Sequence, residues 1–468
     1  MKVTIIGAGP AGIFTAFELG KSGDMDILLI EQGPDIDNRH CPMMRLGRCT
    51  YCKICHVTHG FGGAGVFSDG KLDITPYVGG NLEEFVSQDE AWKIVRYVDE
   101  VFVKHGGDTK LIVPDPEKVA ELKKKAAAAG IDFLEFPVRH LGTENSVRVI
   151  TNLKRTLKRM GVKIMFNTKV KGIKTDGETA KGVVLENNKE IDSDYVVVAP
   201  GRSGAKWFSQ EIKRLGVEAE HNPVDLGLRV EVPKVVLEPV TEIVWDPKFH
   251  IMTKTYDDFV RTFCVNHGGY VINEVYEDFV SVNGHTMKDN KSENSNFALL
   301  VRVKLTEPVQ DAAEYGRAIA RSVTNIGGGK PIIQRLGDLL NGRRSTWSRI
   351  RRSYVRPTLR DVTPGDIAMA MPYRFVTDIV ESIERLDYVI PGVAADSTLL
   401  YAIEIKEYSM RVKVNQGMET NIKNLYAVGD GAGISRNIVI AASTGILAAR
   451  SILEKEGYVW EPNLPKRN

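Results

Sequence analysis

The chain has 468 residues, of which 43% are hydrophobic and 26% charged, and its formal net charge at pH 7 is +2. This length and composition are typical of a folded protein of more than one domain, and the small net charge makes nucleic acid an unexpected partner. No run of 18 apolar residues predicts a membrane span, and glycines together with Glu18 interrupt the apolar N-terminus, unlike a signal peptide. We therefore expect a cytoplasmic protein whose five cysteines bind metal, react or stay free rather than form disulfides.

The first stretch predicts a strand, a tight turn and a helix. Residues 3–6 are a short apolar run, which ends in Gly7-x-Gly9-x-x-Gly12 and is followed at once by helical spacing. Gly7 makes the turn, Gly9 lets the backbone approach a pyrophosphate, and Gly12 lets the helix pack on the strand. A second run ends at Glu31, 19 positions after Gly12, where a carboxylate binds ribose hydroxyls. Together these features predict a dinucleotide-binding unit.

Glycines are dense again at residues 60–70, beside Ser68, Asp69 and Lys71. This composition predicts a loop whose backbone comes close to another group, rather than a flexible linker. Helical patterns follow at 81–130, where Asp115-Pro116 predicts one helix start and Gly130 its end, and again at 151–160.

From residue 162 the pattern changes to strands. Turn residues at 176–177 and 187–188 predict a β-meander, which returns to a buried strand at 195–198 and ends in the loop Ala199-Pro200-Gly201. A similar strand and glycine loop occur at 424–433, reading NLYAVGDGAG, before a helix of small residues up to 450. No second dinucleotide fingerprint occurs, so we expect no dedicated NAD(P)H domain. Electrons would come from a substrate, from nicotinamide in an open cleft or from a redox protein.

These motifs resemble the flavoprotein fold of glutathione reductase type, and more closely the family of uncharacterised FAD-dependent dehydrogenases. The marks of that family are Cys-Pro at 41–42, C-x-x-C-x-x-C at 49–55, GGAGVFSDGKL at 62–72, HLGT at 140–143 and TFCVNHGGYV at 262–271. Two differences from the family are expected: the extra domain that many relatives carry before the fingerprint would be missing, and Asn266-His267 stands where Cys-Pro is usual.

The resemblance implies an FAD cofactor and assigns residues to it. Glu31 would bind the adenosine ribose, the Val170 backbone would meet the adenine, and Asp430 would bind the ribityl or pyrophosphate side, unless it only caps a helix. The helix after Asp430 would direct its N-terminus at the flavin. The implied cofactor-binding residues are Gly7, Gly9, Pro10, Ala11, Gly12, Glu31, Gln32, Gly62, Gly63, Ala64, Gly65, Lys71, Val170, Ala199, Pro200, Gly201, Gly429, Asp430, Asn437 and Ile438.

Four cysteines lie close together in sequence, at Cys41, Cys49, Cys52 and Cys55. Four thiolates suit a [4Fe–4S] cluster or a structural zinc, and the core spacing resembles that of ferredoxins. A redox-active thiol pair and inert cysteines are the alternatives. The string Cys52-Lys-Ile-Cys55-His56 also matches haem attachment, which we regard as chance in a chain with no predicted export signal.

A basic stretch at residues 343–360 contains seven arginines and no acid, with Trp347 and Tyr354 between them. It predicts either a docking face for an acidic redox protein or another anion, or a solvated face whose arginines pair with acids elsewhere. His267 is the candidate catalytic residue, because a histidine titrates near neutral pH. Lys71 and Glu404 are weaker candidates.

We therefore predict an α/β fold: a Rossmann-like, three-layer FAD-binding domain with a parallel sheet and a β-meander, and an inserted α+β substrate domain over the flavin. The FAD domain would comprise 1–75, 150–222 and 395–468, and the substrate domain 76–149 and 223–394. The predicted activity is hydride or electron transfer between FAD and a small organic substrate or a redox partner. The alternatives are an isoprenoid double-bond reductase of geranylgeranyl-reductase type and an RNA-associated flavoprotein with structural FAD.

Overall fold

The computed structural model describes residues 1–42, 52–67, 70–276, 278–286, 290–306, 311–461 and 464–467, without the side chains of residues 143, 144 and 459–467. It forms two compact units. The first unit comprises Met1–Ile112, Pro137–His221 and Ser409–Asn468, and the second comprises Val113–Phe136 and Asn222–Tyr408. Within the described residues, no helix is long and apolar enough to cross a membrane.

The first unit contains a five-stranded parallel sheet and several small sheets. Its helices are α1 (Pro10–Gly20), α2 (Gln88–Lys104), α4 (Thr143–Arg159), α5 (Ala205–Leu215) and α11 (Ile438–Lys455). Its strands are β1 (Lys2–Ile6), β2 (Asp26–Ile30), β3 (Lys71–Asp73), β5 (Val138–His140), β6 (Lys163–Met165), β7 (Val170–Thr175), β8 (Ala180–Leu185), β9 (Glu190–Asp192), β10 (Tyr195–Val198), β11 (Ala219–Glu220), β21 (Arg411–Val412), β22 (Leu425–Ala427), β23 (Tyr458–Glu461) and β24 (Leu464–Arg467).

The parallel sheet has the strand order β22-β10-β1-β2-β6, and β7-β8-β9 form the predicted antiparallel meander. Helix α1 is buried from Ala11 to Gly20 and packs against α11, where a Cβ on Gly445 would lie only 2.1 Å from the Ala11 carbonyl oxygen. The predicted α/β class with a Rossmann-like parallel sheet is confirmed.

Residues 76–112 belong to the first unit, whereas the sequence placed them in the substrate domain. The reason is the position of α2 beside α11, where Arg450 Nη1 donates to Glu90 Oε1 at 2.7 Å. The units also differ from the predicted domains at residues 137–149, which lie in the first unit, and at residues 395–408, which lie in the second. An amphipathic helix shows which face is apolar, but not which unit covers that face.

The second unit is built on an eight-stranded sheet. Its helices are α3 (Pro116–Ala128), α6 (Lys234–Thr241), α7 (Ala312–Ile326), α8 (Leu336–Leu340), α9 (Trp347–Arg351) and α10 (Tyr373–Asp387). Its strands are β4 (Ile131–Leu134), β12 (Val224–Pro233), β13 (Lys248–Met252), β14 (Phe259–Asn266), β15 (Tyr270–Val275), β16 (Val280–His285), β17 (Asn294–Val303), β18 (Ile332–Arg335), β19 (Thr363–Pro364) and β20 (Leu399–Lys406). The sheet order is β19-β18-β20-β12-β17-β14-β13-β4, and β15 and β16 form a separate two-stranded ribbon.

The alternation along β12 separates an apolar face from a polar face of this sheet. Val224, Leu226, Leu228, Val230 and Val232 join the core formed with α3, α6, α7 and α10. On the other face Asp225, Arg229 and Glu231 are also fully buried. Buried charges of this kind require partners, and the structure supplies them from distant strands.

Candidate functional site

Three strand ends lie side by side at the carboxyl edge of the parallel sheet. The Gly7 amide donates to the Ile30 carbonyl at 2.8 Å, and the Ala199 amide donates to the Ile6 carbonyl at 2.8 Å. The Val428 amide donates to the Val198 carbonyl at 3.0 Å. The loops that follow β1, β2, β10 and β22 are therefore neighbours, at the edge where open α/β sheets bind their ligands.

The three fingerprint glycines have different surroundings. A Cβ on Gly7, whose φ is +99°, would lie 2.1 Å from the Ala199 carbonyl oxygen, and a Cβ on Gly12 would lie 1.9 Å from the Gly7 carbonyl oxygen. A Cβ on Gly9 would meet no atom nearer than the Gly63 Cα at 3.9 Å. Gly7 and Gly12 are thus required by protein packing, whereas Gly9 leaves open space at the start of α1.

The start of α1 suits an anion. Gly9 precedes the helix and offers no side-chain cap, Pro10 follows it, and the first turn contains no acidic residue. The first amides of a helix lack partners within the helix, and its dipole is positive at this end. The open space at Gly9 is compatible with the diphosphate of a dinucleotide, a role that stays a prediction.

Glu31 follows β2 and is 6% exposed. Its Oε1 accepts the amides of Gly33 at 2.8 Å and Gly60 at 3.0 Å, while its Oε2 accepts the Ala8 amide at 2.9 Å. A carboxylate oxygen accepts about two hydrogen bonds, so these contacts leave Oε2 with capacity for a further donor. The backbone fixes the orientation of the carboxylate, as a residue that binds ribose hydroxyls requires.

The glycine-rich loop (residues 60–67) contacts the fingerprint directly. The Gly62 amide donates to the Ala8 carbonyl at 2.8 Å, and a Cβ on Gly63 would lie 3.0 Å from the Gly9 Cα. A Cβ on Gly65 would lie 2.9 Å from Ile438 Cδ1. The predicted close approach of this loop to another group is therefore seen as contact with backbone at residues 8–9. Ser68 and Asp69 lie outside the described residues.

Arg39, which the sequence interpretation did not include, holds this loop. Its side chain is 3% exposed and donates to carbonyl oxygens of residues 56–63, at 2.9 Å to Phe61 and 2.8 Å to Gly63. Its guanidinium also lies 4.6 Å from the Phe67 ring centroid. Burial lowers the pKa of Arg39 to about 10, against the raising effect of Glu31. A single arginine in an irregular segment gives no sequence signal for this role.

Asp430 begins the loop after β22. Its Oδ1 accepts the Ser435 hydroxyl at 2.6 Å, and Arg202 Nε lies 3.7 Å from its Oδ2. Burial raises the pKa of Asp430, and Arg202 opposes that shift. Gly431 lies against the preceding loop, since its Cβ would be 2.5 Å from Pro200 Cγ. Asp430 therefore lies at the sheet edge as predicted, beside the loop that follows β10.

The start of α11 uses the side chain of Asn437 for the protein itself. Asn437 Oδ1 accepts the Ile440 amide at 2.7 Å, and Asn437 Nδ2 donates to the Val78 carbonyl at 2.7 Å. Asn437 is thus the helix cap, so a contact with a cofactor here would come from the backbone. Ile438 packs on Gly65.

The remaining predicted residues lie near Glu31 or on another small sheet. Val170 is buried at the start of β7, and two residues earlier the Thr168 amide donates to the Glu31 carbonyl at 3.0 Å. Gln32 follows Glu31 directly. Lys71 lies on β3 opposite His140 of β5.

The cysteine segment is described only in part, because Cys49 lies outside the described residues. No disulfide joins Cys41, Cys52 and Cys55 within the described residues, and Cys52 and Cys55 are exposed. Burial raises the pKa of Cys55. Hydrogen bonds from the Thr58 and Val57 amides and the Thr58 hydroxyl, together with the charge of Arg39, lower it by more, so the pKa lies below its ordinary value. Among the residues described, no three His, Cys, Asp or Glu side chains come together to hold a metal ion.

His267 and Glu404 both belong to the second unit. His267 Nδ1 lies 3.0 Å from the Thr241 hydroxyl, and burial together with Lys234 lowers the pKa of His267. Glu404 is fully buried, and its Oε1 accepts Arg229 Nη2 at 2.7 Å and lies 3.1 Å from Lys406 Nζ. Glu404 is therefore the ion-pair partner of a buried arginine, which argues against its use as a base.

Two family models match the chain. The model described as "FAD-dependent protein, C-terminal domain-like" matches residues 224–407, and the model described as "Pyridine nucleotide-disulphide oxidoreductase" matches residues 121–236. A relative from Clostridium beijerinckii, described as an uncharacterized protein, is 28% identical over 97% of this chain and 81% of its own length.

Solved structures with similarity to the chain include two amino-acid-oxidising enzymes. Glycine oxidase from Geobacillus kaustophilus matches 99% of this chain and 95% of its own, with 13% identity and a TM-score of 0.37. L-proline dehydrogenase from P. horikoshii matches 97% of this chain and 93% of its own, with 13% identity and a TM-score of 0.38. No substrate follows from likeness at these values.

Proposed function

Because the chain belongs to the FAD-dependent oxidoreductases, we propose that it transfers hydride or electrons between FAD and a small organic substrate or a redox partner. One observation carries the proposal: Glu31, the open space at Gly9 and the loop at Asp430 lie next to one another along one edge of the parallel sheet. These are the positions that the ribose, the diphosphate and the ribityl side of FAD require.

Each residue has a defined part in this proposal. Glu31 accepts hydrogen bonds from the adenosine ribose, and the first amides of α1 bind the diphosphate next to Gly9. Asp430 accepts hydrogen bonds from hydroxyls on the ribityl side, which compensates for the burial that raises its pKa. The N-terminus of α11 contributes a positive dipole end, which stabilises negative charge on the reduced cofactor. When bound, FAD supplies the hydride chemistry.

The proposal is tested by purifying the protein and identifying its chromophore. We expect a flavin absorption spectrum, FAD rather than FMN released on denaturation, and bleaching by an anaerobic reductant. Gly9→Val is the matched variant, because a larger side chain would fill the space of the diphosphate. Protein that folds normally but neither retains nor rebinds FAD would refute the proposal.

We further propose that the cysteine segment exchanges electrons with the flavin, as a [4Fe–4S] cluster of Cys41, Cys49, Cys52 and Cys55. The support is the ferredoxin-like spacing and the lowered pKa of Cys55, since thiolate is the form that binds metal. Anaerobic purification followed by iron and acid-labile sulfide analysis tests this, with Cys52→Ser as the variant. FAD without iron or sulfide would exclude the cluster and leave a redox-active thiol pair, a structural zinc or inert cysteines as the alternatives.

A further inference from the structure

The basic stretch (residues 343–360) has an inner side that packs on the second unit. Ile350 and Val355 are each 1% exposed and join a cluster with Ile333 and Tyr401. The Thr358 hydroxyl donates to the buried Glu231 at 2.5 Å. These contacts hold the stretch in one conformation, so its outer side chains project from a fixed backbone.

Two of the seven arginines have an acidic partner. Arg343 Nε lies 2.9 Å and Arg349 Nε lies 3.9 Å from Oδ1 of Asp338, which is fully buried. Burial raises the pKa of Asp338, but Arg343, Ser345 and the other two nearby arginines hold it below its ordinary value. This carboxyl is thus already neutralised by Arg343 and Arg349.

The other five arginines form the outer charge of the stretch. All are exposed, and no carboxylate of the described residues lies within 4.0 Å of any of them: Arg344, Arg351, Arg352, Arg356 and Arg360. Of the two interpretations that the sequence allowed, these five do not fit a face paired with acids among the residues that the structure describes. Five cations without a described acidic partner, within 17 residues, produce a local positive potential that the net charge of +2 conceals.

Two aromatic side chains are exposed among these arginines. Tyr354 is 78% exposed and Trp347 is 38% exposed. Arginine, tyrosine and tryptophan are the residue types that contribute most energy at protein interfaces. The exposed residues of the basic stretch therefore have the composition of a protein docking surface, in addition to their positive charge.

We propose that the outer face of the basic stretch docks an acidic protein electron carrier of ferredoxin type. This rests on the proposed function, because the flavin needs an electron source and the sequence has no second dinucleotide fingerprint. Two reduced carriers each lose one electron, and FAD gains these two electrons with one proton from water. A nucleic acid would also suit arginine and aromatic side chains, but it supplies no electrons.

The experiment compares two triple variants in the full-length protein with FAD bound. Arg351→Gln/Arg352→Gln/Arg356→Gln removes three unpaired cations of the docking face. The control, Arg317→Gln/Arg321→Gln/Arg374→Gln, removes three cations of the second unit that are paired with Glu407, Asp278 and Asp258. Both variants lower the net charge by three. A difference in ferredoxin binding between them therefore depends on where the arginines lie on the protein, not on the total charge.

Two readouts separate docking from flavin chemistry. The first is binding of an oxidised acidic [2Fe–2S] ferredoxin to immobilised protein, which does not need the flavin. The second is the anaerobic rate of flavin bleaching by the reduced ferredoxin, compared with bleaching by dithionite. We expect the docking variant to lose at least about tenfold in both ferredoxin readouts, with the control close to wild type. Raising salt from about 20 to 300 mM should weaken wild-type binding steeply.

The outcomes are distinct. Equal behaviour of the two variants, or ferredoxin binding that is independent of salt, would overturn the docking proposal. Tighter binding of a labelled U20 RNA than of ferredoxin, lost only in the docking variant, would overturn it in favour of nucleic acid. Protein without FAD, or flavin that dithionite does not bleach, would instead refute the proposed function while the binding readout still tests docking.

Discussion

Replacing Glu31 by glutamine is expected to weaken both the fold and the binding of FAD. The wild-type carboxylate accepts three backbone amides, two on Oε1 and one on Oε2. Glutamine retains one oxygen, which accepts the Gly33 and Gly60 amides. Its amide group then faces the Ala8 N–H, so two donors meet and one buried amide loses its acceptor.

The size of the effect follows from these contacts. Losing one hydrogen bond to a charged group costs about 1.5–3 kcal/mol of folding free energy. The same substitution removes the acceptor that the proposal assigns to the ribose, and a further loss of about 1.4 kcal/mol corresponds to a tenfold rise in Kd. Glu31→Ala would leave all three amides without acceptors and is expected to fold poorly.

The assay is titration of apoprotein with FAD, followed by flavin fluorescence, beside urea unfolding of the apoprotein. Glu211→Gln is the control: Glu211 is also buried in the first unit and accepts the Ile173 amide at 2.8 Å, but it lies on α5. We expect Glu211→Gln to lose stability without a change in Kd. A Glu31→Gln protein that binds FAD within about twofold of wild type would refute the reasoning.

Three further predictions concern single residues. A Cβ on Gly12 would lie 1.9 Å from a backbone oxygen, whereas the atom nearest to a Cβ on Gly9 would be 3.9 Å away. Gly12→Ala should therefore lower the melting temperature, and Gly9→Ala should lower only the affinity for FAD. Arg39→Met should expose residues 56–63 to limited proteolysis, because their carbonyls lose a common donor; an unchanged cleavage pattern would contradict this. Burial raises the pKa of Asp378 to about 6, so the folded state holds this proton more tightly than the unfolded chain. The contribution of this proton to the free energy of unfolding is complete below about pH 4 and lost by about pH 6. In urea unfolding, Asp378→Asn should therefore gain stability relative to wild type as the pH rises from 4.5 to 7.5, and parallel pH profiles of the two proteins would refute this.

The parts of the site that could be predicted are those whose chemistry is local. Gly7, Gly12 and Glu31 follow from the strand, turn and helix that contain them, and the structure shows the close contacts that exclude a side chain at the two glycines. The helix cap at Asp115 is local as well, since its Oδ1 accepts the Glu117 and Lys118 amides.

The parts that could not be predicted depend on partners distant in the chain. Arg39 was missed because its acceptors are backbone carbonyls, which every residue possesses. On β12, Arg229 and Glu231 alternate with apolar residues, a pattern typical of a solvent-facing side. Both are buried because Glu404, Thr358 and Tyr401 pair with them from more than 120 positions away.

The order of strands in the parallel sheet has a consequence for synthesis of the protein. β1 lies beside β10, and β10 beside β22, which begins at Leu425. A nascent chain that has been synthesised as far as residue 400 therefore contains β1, β2 and β10 without the edge strand β22. Its helix α1 also lacks α11, which covers the buried face of α1 in the folded protein. A nascent chain at that stage exposes Ala11 and Thr15, and we expect it to need a chaperone until α11 emerges.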